Sequence, residues 1–184
     1  MTKTLLTSTL LSLTLLLNAC SSDEKETPNA MVATNEYVLT ELNKTQYTAH
    51  KTPTGFTIDG AEEKVILLDI FATWCPPCQA EATHLTSLQE KFKDELLIIG
   101  VSVEEGVEDA KLQAFRDEFN AQYPLVNSSE NRRFITAIAQ KLNVGRNFGI
   151  PLMALYKDGN LINFYQGAVE EEFIESDIKK ALGK

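Results

Sequence analysis

A pair of cysteines separated by two residues directly after a buried strand is the feature that most limits the folds open to this chain. Val65–Phe71 is a nearly continuous apolar run, typical of a strand covered on both faces in a parallel sheet. The run Trp-Cys-Pro-Pro-Cys follows at residues 74–78. Beyond it, Glu81, Leu85, Leu88 and Phe92 share one helical stripe with Cys78. The sequence therefore predicts a cysteine pair at the start of a helix that follows a central strand.

This position determines the chemistry expected of the pair. The unpaired N–H groups and the dipole of a helix N-terminus favour the thiolate of Cys75. Only a thiolate attacks a disulfide, and Cys78 is placed to break the mixed disulfide that results. Pro76 and Pro77 stiffen the loop and hold the two sulfurs close. We therefore expect a redox-active disulfide, with no cofactor beyond the two cysteines.

The main alternative for an isolated Cys-x-x-Cys is half of a zinc site. The sequence has no second cysteine pair, and His50 and His84 show no ligand spacing, so we expect no metal here. A non-enzymatic copper metallochaperone remains open as an alternative, with Met153 as the candidate ligand near Pro151.

The third cysteine follows a segment typical of an export signal. Residues 1–19 have a basic start and an apolar stretch over residues 5–17, too short for the roughly 20 residues that span a bilayer. The ending Leu-Asn-Ala-Cys resembles a bacterial lipobox, which implies lipid modification of Cys20; an ordinary signal peptide is the alternative. Residues 20–35 are polar and predict a flexible tether. We expect a protein anchored by lipid on the periplasmic side of a bacterial membrane.

Composition excludes two classes of protein. The chain has 184 residues and a formal net charge of -9, without the Lys/Arg cluster that a nucleic-acid partner requires. Three cysteines are too few for a scaffold of several disulfides. The length suits one globular core, which we place at residues 36–184.

The remaining patterns alternate between strands and helices, as in an α/β fold. Edge strands are expected at residues 37–42 and 55–58, joined by turns, and a second buried strand at residues 96–103. Helices are expected at residues 107–121 and 134–142. The strand at residues 152–156 forms a hairpin with residues 161–166. A last amphipathic helix carries Phe173, Ile174, Ile178 and Leu182.

Residues 65–78 and 149–167 resemble the thioredoxin superfamily, and the Trp-Cys-Pro-Pro-Cys motif behind an export leader is similar to its ResA/TlpA/CcmG-like extracytoplasmic branch. The resemblance implies a thioredoxin-like fold: a central mixed sheet flanked by helices, with an N-terminal strand extension and an inserted helix before the cis-proline strand. Pro151 is then the cis-proline that faces the cysteines, and Ile150 supplies the backbone edge that pairs with substrate. Trp74, beside the active-site loop, completes the substrate-binding surface with Pro76 and Pro77.

Two carboxylates are candidate proton carriers. Asp69 interrupts the apolar strand six residues before Cys75, at the position of the buried aspartate of thioredoxins, and Glu81 matches the glutamate of the ResA-like branch. A buried carboxyl group has a raised pKa, which suits it to accept the proton of Cys78. The alternatives are a structural role for Asp69 and a solvated position for Glu81 in the first helical turn. His84 is expected at the surface.

The residues between the cysteines indicate the direction of electron flow. A strong oxidant needs its reduced thiolate stabilised, and Pro76 and Pro77 offer neither charge nor hydrogen-bond donors for this. We therefore expect a reductant. The resemblance implies exported disulfide proteins such as apocytochrome c as substrates and a membrane electron donor of the DsbD/CcdA type. A general periplasmic disulfide oxidase or isomerase is the alternative.

Overall fold

The computed structural model describes residues 35–184, in which eight strands and four helices form. The predicted signal peptide, Cys20 and the predicted tether as far as residue 34 lie outside the described residues. In chain order the elements are β1 Glu36–Thr40, β2 Gln46–Lys51, β3 Phe56–Ile58, β4 Val65–Phe71, α1 Pro76–Phe92, β5 Leu96–Ser102, α2 Asp109–Glu118, β6 Leu125–Val126, α3 Asn131–Leu142, β7 Leu152–Lys157, β8 Asn160–Gln166 and α4 Glu171–Ala181. None of these helices is both long and apolar enough to cross a membrane.

The central sheet has the strand order β6-β5-β4-β7-β8. Strands β4, β5 and β6 are parallel, whereas β7 and β8 run antiparallel to their neighbours. All seven residues of β4 are buried, as its continuous apolar sequence predicts. The predicted mixed sheet therefore forms, and the cysteine motif leaves it from the end of its middle strand.

Side chains of β4 alternate between two cores. Val65, Leu67 and Phe71 lie in a core shared with buried residues of α1, α2 and α4, which we call the α1 face. Ile66 and Ile70 point to the opposite side, where α3 and the N-terminal strands cover the sheet. By this alternation Asp69 belongs to the α1 face, the same face as both cysteines.

The N-terminal extension is a separate three-stranded antiparallel sheet of order β1-β2-β3. The prediction that only turns join the strands at residues 37–42 and 55–58 was wrong, because β2 occupies Gln46–Lys51 between them and pairs with both β1 and β3. Its sequence, QYTAHK, has only Ala49 fully buried, so the alternation that marks a strand is weak. Strand β6 was also missed, since two residues are too short for a periodic signal.

The helix predicted at residues 107–121 is shorter in the structure, because α2 ends at Glu118 and Phe119 is its C-cap, half-buried against the core. In α4, Ile174 and Ile178 are buried, but Phe173 is 65% exposed. Adjacent residues on a helix are about 100° apart, and the stripe set by the two isoleucines turns Phe173 toward solvent.

Candidate active site

The two cysteines form a disulfide at the start of α1. Cys75 is the N-cap residue, and Pro76 and Pro77 occupy the first helical positions, where the missing N–H groups cost nothing. The Cα atoms of Cys75 and Cys78 are 5.2 Å apart. Both cysteines are nearly buried, at 4% and 3% exposure, whereas the prolines between them are exposed. The predicted strand, motif and helix therefore assemble as expected.

The loop before β7 forms the wall opposite Cys75. The Ile150–Pro151 peptide bond is cis, the isomer that the resemblance implies. Cys75 Sγ lies 3.7 Å from the carbonyl oxygen of Ile150. A disulfide sulfur has no proton to donate, so this is a packing contact in the oxidised protein. Pro151 is buried and Ile150 half-buried, which leaves part of the Ile150 edge accessible beside the sulfur.

Side chains that were not predicted from the sequence hold the loop before Cys75. Gln79 Nε2 donates a hydrogen bond of 2.8 Å to the carbonyl oxygen of Thr73, and the Thr73 N–H donates to Glu104 at 2.7 Å. Burial raises the pKa of Glu104, but hydrogen bonds from Lys111 and Thr73 outweigh it and leave the pKa below its ordinary value. Glu104 is thus a charged anchor for the loop. The side chain of Trp74 is 63% exposed, so only part of it packs against the rest of the active-site loop.

Asp69 is a buried carboxyl group with a single hydrogen-bond partner. Its exposure is 3%, and Oδ2 accepts a hydrogen bond of 3.2 Å from the hydroxyl of Tyr123. Within residues 35–184 no group bonds to Oδ1. The pKa of Asp69 is raised to about 7, because the effect of burial, together with the charge of Glu81, outweighs the lowering by the Tyr123 hydrogen bond. A group with this pKa can both accept and return a proton near neutral pH.

Tyr123 reaches Asp69 through space left by a glycine. Gly100 in β5 is the register partner of Asp69 in β4. A Cβ atom at Gly100 would lie 3.1 Å from Cε2 of Tyr123 and 2.7 Å from Cδ2 of Leu125. Tyr123 was not predicted from the sequence, although a glycine inside a buried strand is a signal that another group approaches closely.

Glu81 is also buried, at 1% exposure, which contradicts its alternative interpretation as a solvated residue. Its Oε2 accepts a hydrogen bond of 3.1 Å from the N–H of Val169, which joins α1 to the segment before α4. Oε1 has no partner among the described residues. Burial raises the pKa of Glu81, whereas the Val169 hydrogen bond and nearby His84 lower it. His84, expected at the surface, is half-buried, and its Nδ1 atom is enclosed.

Across residues 35–184, no cluster of three or more His, Cys, Asp or Glu side chains could hold a metal ion.

Comparison with known sequences gives one family and several relatives. The Redoxin family model matches residues 27–182. Thiol-disulfide oxidoreductase ResA of Halalkalibacterium halodurans is 28% identical over 119 residues, which cover 62% of this chain and 60% of that protein. Thioredoxin-like protein YneN of Bacillus subtilis is 30% identical over 71 residues, which cover 38% of this chain and 42% of that protein. The chain therefore spans less than two thirds of the length of either relative.

Comparison with solved structures supports the fold. A putative protein disulfide isomerase from Bacteroides thetaiotaomicron superposes with a TM-score of 0.63 at 21% identity, covering 82% of this chain and 88% of that one. A thioredoxin family thiol:disulfide interchange protein from Chlorobium tepidum gives a TM-score of 0.62 at 17% identity, covering 82% and 95%. The predicted thioredoxin-like α/β fold is thereby confirmed.

Proposed function

Because the chain belongs to the Redoxin family, we propose that it is a thiol-disulfide oxidoreductase that works through Cys75 and Cys78. The observation that carries the proposal is the disulfide at the N-terminus of α1, with Cys75 Sγ against the Ile150–Pro151 edge. A thiolate at this position has the helix dipole to stabilise it and an accessible backbone edge beside it. The similarity to a ResA thiol-disulfide oxidoreductase supports the same activity.

In the proposed direction the reduced protein attacks a disulfide of a client protein. The thiolate of Cys75 forms a bond to one client sulfur, and the other client sulfur leaves as a thiolate. Cys78 then loses its proton to a buried carboxylate and attacks Cys75 Sγ, which releases the second client thiolate. The client gains two electrons, and this protein is left with the Cys75–Cys78 disulfide.

Asp69 fits the role of proton acceptor in the second step. It lies on the α1 face with both cysteines, and burial raises its pKa to about 7. At neutral pH a substantial fraction is ionised and can accept a proton, while the protonated form can return it. Glu81 is the second candidate, because it is buried on the same helix as Cys78 and one of its oxygens has no partner in the described region.

We further propose that the protein is a reductant outside the cytoplasm, held at a membrane by lipid on Cys20. The support is the leader and Leu-Asn-Ala-Cys ending at residues 1–20, together with two prolines that offer no donor to stabilise the reduced state. The resemblance to the ResA/TlpA/CcmG-like branch favours apocytochrome c as client and a DsbD/CcdA-type membrane protein as electron donor.

The deciding measurement is the reduction potential of the Cys75/Cys78 pair in the full-length protein, equilibrated in graded thiol-disulfide buffers with trapping of free thiols. A value near that of thioredoxin, about -270 mV, supports a reductant, whereas one near -120 mV makes the protein an oxidant. In parallel, Cys78→Ser should accumulate a mixed disulfide with a disulfide-bonded client, and Cys75→Ser should not. Failure of Cys78→Ser to capture any client would contradict the proposed role of Cys75 as nucleophile.

A further inference from the structure

A groove with a volume of about 920 Å³ opens beside the disulfide, on the side away from Asp69 and Glu81. Trp74, the residue before Cys75, and Ile150, whose carbonyl oxygen touches Cys75 Sγ, both line it. From there it extends along α3 to the loop that precedes Ile150. A polypeptide whose disulfide is presented to Cys75 therefore has this groove directly beside it.

The lining of the groove combines apolar surface with positive charge. Its apolar members come from the active-site loop, the residue after β5, α3 and the loop before the cis-proline: Trp74, Val103, Ile135, Ala139, Phe148 and Ile150. Its charged members are Arg132 and Arg146, and no acidic residue of the described region lines it. The charge of the groove lining is therefore positive, although the formal net charge of the protein is -9.

Both arginines are available to a ligand. Arg146 has no acidic partner within ion-pair distance among residues 35–184, and it is exposed. Arg132 Nη1 lies 3.2 Å from Glu105, but the two side chains are 78% and 69% exposed. An ion pair this exposed is weak, so a carboxylate of a ligand can replace Glu105 at little cost. The other nearby acid, Glu104, is paired with Lys111 and the Thr73 N–H.

We propose that this groove binds the client segment next to the disulfide and selects segments that carry Asp or Glu beside an apolar side chain. A guanidinium group presents a planar fork of donors that matches a carboxylate, and the apolar walls accept the neighbouring side chain. The inference rests on the proposed oxidoreductase function and adds the class of client segment: an acidic one with a neighbouring apolar side chain.

The test uses two peptides, each with one intramolecular disulfide, that are identical except for two Asp residues in one and two Asn residues in the other. Full-length protein is reduced beforehand and mixed with peptide in stopped flow, with fluorescence of Trp74, the single tryptophan, as the signal. We expect the Asp peptide to react about five- to tenfold faster at low ionic strength, since two charge pairs contribute. The double variant Arg132→Gln/Arg146→Gln should bring the ratio of the two rate constants to one.

The matched control is Lys51→Gln/Lys93→Gln, which removes the same number of positive charges from positions that do not line the groove. It should keep the ratio of the wild type. A wild-type ratio of one, or equal loss in both double variants, would overturn the groove as the selector. Reduction of a small neutral disulfide by the wild type separates the two proposals: if it proceeds while the peptides are not distinguished, only the groove inference fails. If it does not proceed, the oxidoreductase function itself fails.

Discussion

The hydroxyl of Tyr123 lies 3.2 Å from Oδ2 of Asp69 and makes the only hydrogen bond to that carboxyl group within residues 35–184. Burial raises the pKa of Tyr123 well above its ordinary value, and the charge of Asp69 raises it further, so the hydroxyl stays protonated. A permanent donor at this position favours the ionised form of Asp69. Tyr123 therefore acts as a positioning residue that keeps the pKa of a buried acid close to neutrality.

Replacing Tyr123 by Phe should shift the pH dependence of thiol-disulfide exchange upward. Loss of a hydrogen bond worth about 1 kcal/mol raises the pKa of Asp69 above its value of about 7, so less carboxylate is available to accept the Cys78 proton. We expect resolution of the mixed disulfide to slow about two- to fivefold at pH 7 and to recover at higher pH. Single-turnover rates from pH 5 to 9 measure the shift.

Tyr156→Phe is the matched control for this experiment. Tyr156 is fully buried in the core on the side of the sheet that α3 covers, opposite the α1 face. Its hydroxyl has no hydrogen-bond partner in the described part of the chain. Its removal should leave the pH midpoint of exchange where it is in the wild type. An unchanged midpoint in Tyr123→Phe would show that the Tyr123 hydroxyl does not control Asp69.

Gly100→Ala should disturb the contact between Tyr123 and Asp69 by crowding the tyrosine ring. The added Cβ would lie 2.7 Å from Cδ2 of Leu125 and 3.1 Å from Cε2 of Tyr123, so the ring must move. Overpacking of this kind costs about 1–3 kcal/mol of unfolding free energy, measurable by urea denaturation. The displaced Tyr123 should also shift the pH midpoint of exchange in the direction expected for Tyr123→Phe.

Gly149→Ala provides the comparison, because the nearest atom to its Cβ, Nε2 of Gln166, is 3.9 Å away. We expect a change in unfolding free energy within about 0.5 kcal/mol of zero. Equal destabilisation by the two alanine substitutions would argue against a specific slot for Tyr123 at Gly100.

The parts of this site that the sequence predicts are those set by local periodicity. The stripe of Cys78, Glu81, Leu85, Leu88 and Phe92 is buried along its whole length in α1, and β4 is buried at every residue. Both patterns lie within one element: the α1 residues recur on one helical face, and the β4 residues are covered on both faces of the sheet. Burial of these residues is the dominant source of their stability.

The parts that the sequence does not predict depend on contacts between distant segments. Tyr123 meets Asp69 across 54 residues of chain, and only the shape of the sheet brings them together. Strand β2 is specified by pairing with β1 and β3 more than by its own polar sequence. The arginines of the groove lie on α3 and on the following loop, where a sequence pattern gives no sign that they share a cavity with Trp74.

Asp69→Asn should remove a pH dependence of stability. The pKa of Asp69 is about 7 in the folded protein, against about 3.9 in an unfolded chain, so between these values the folded state holds a proton that the unfolded state has released. Stability is therefore fully present below about pH 4 and is lost as pH rises toward 7, by an amount on the order of 4 kcal/mol. Asparagine cannot ionise, yet its Oδ1 still accepts from Tyr123.

The measurement is the free energy of unfolding of both proteins in urea at several pH values from 4 to 8. The stability of Asp69→Asn relative to the wild type should rise across this range and level off above pH 7. A constant difference would mean that Asp69 is ionised in the folded protein throughout, which is incompatible with its proposed role as a proton carrier.

Glu81→Gln, alone and combined with Asp69→Asn, tests whether the two buried acids share the proton transfer. Glutamine retains an oxygen to accept from the Val169 N–H, so the link between α1 and the segment before α4 is preserved. Removing the Glu81 charge also removes one cause of the raised pKa of Asp69, so the pH midpoint of exchange should move down, opposite to the effect of Tyr123→Phe. In single-turnover exchange near pH 7 we expect the double variant to be slower than either single variant, because neither Asp69 nor Glu81 can then accept the proton of Cys78. If the double variant exchanges as fast as the wild type, neither acid carries the proton of Cys78, and solvent must accept it directly.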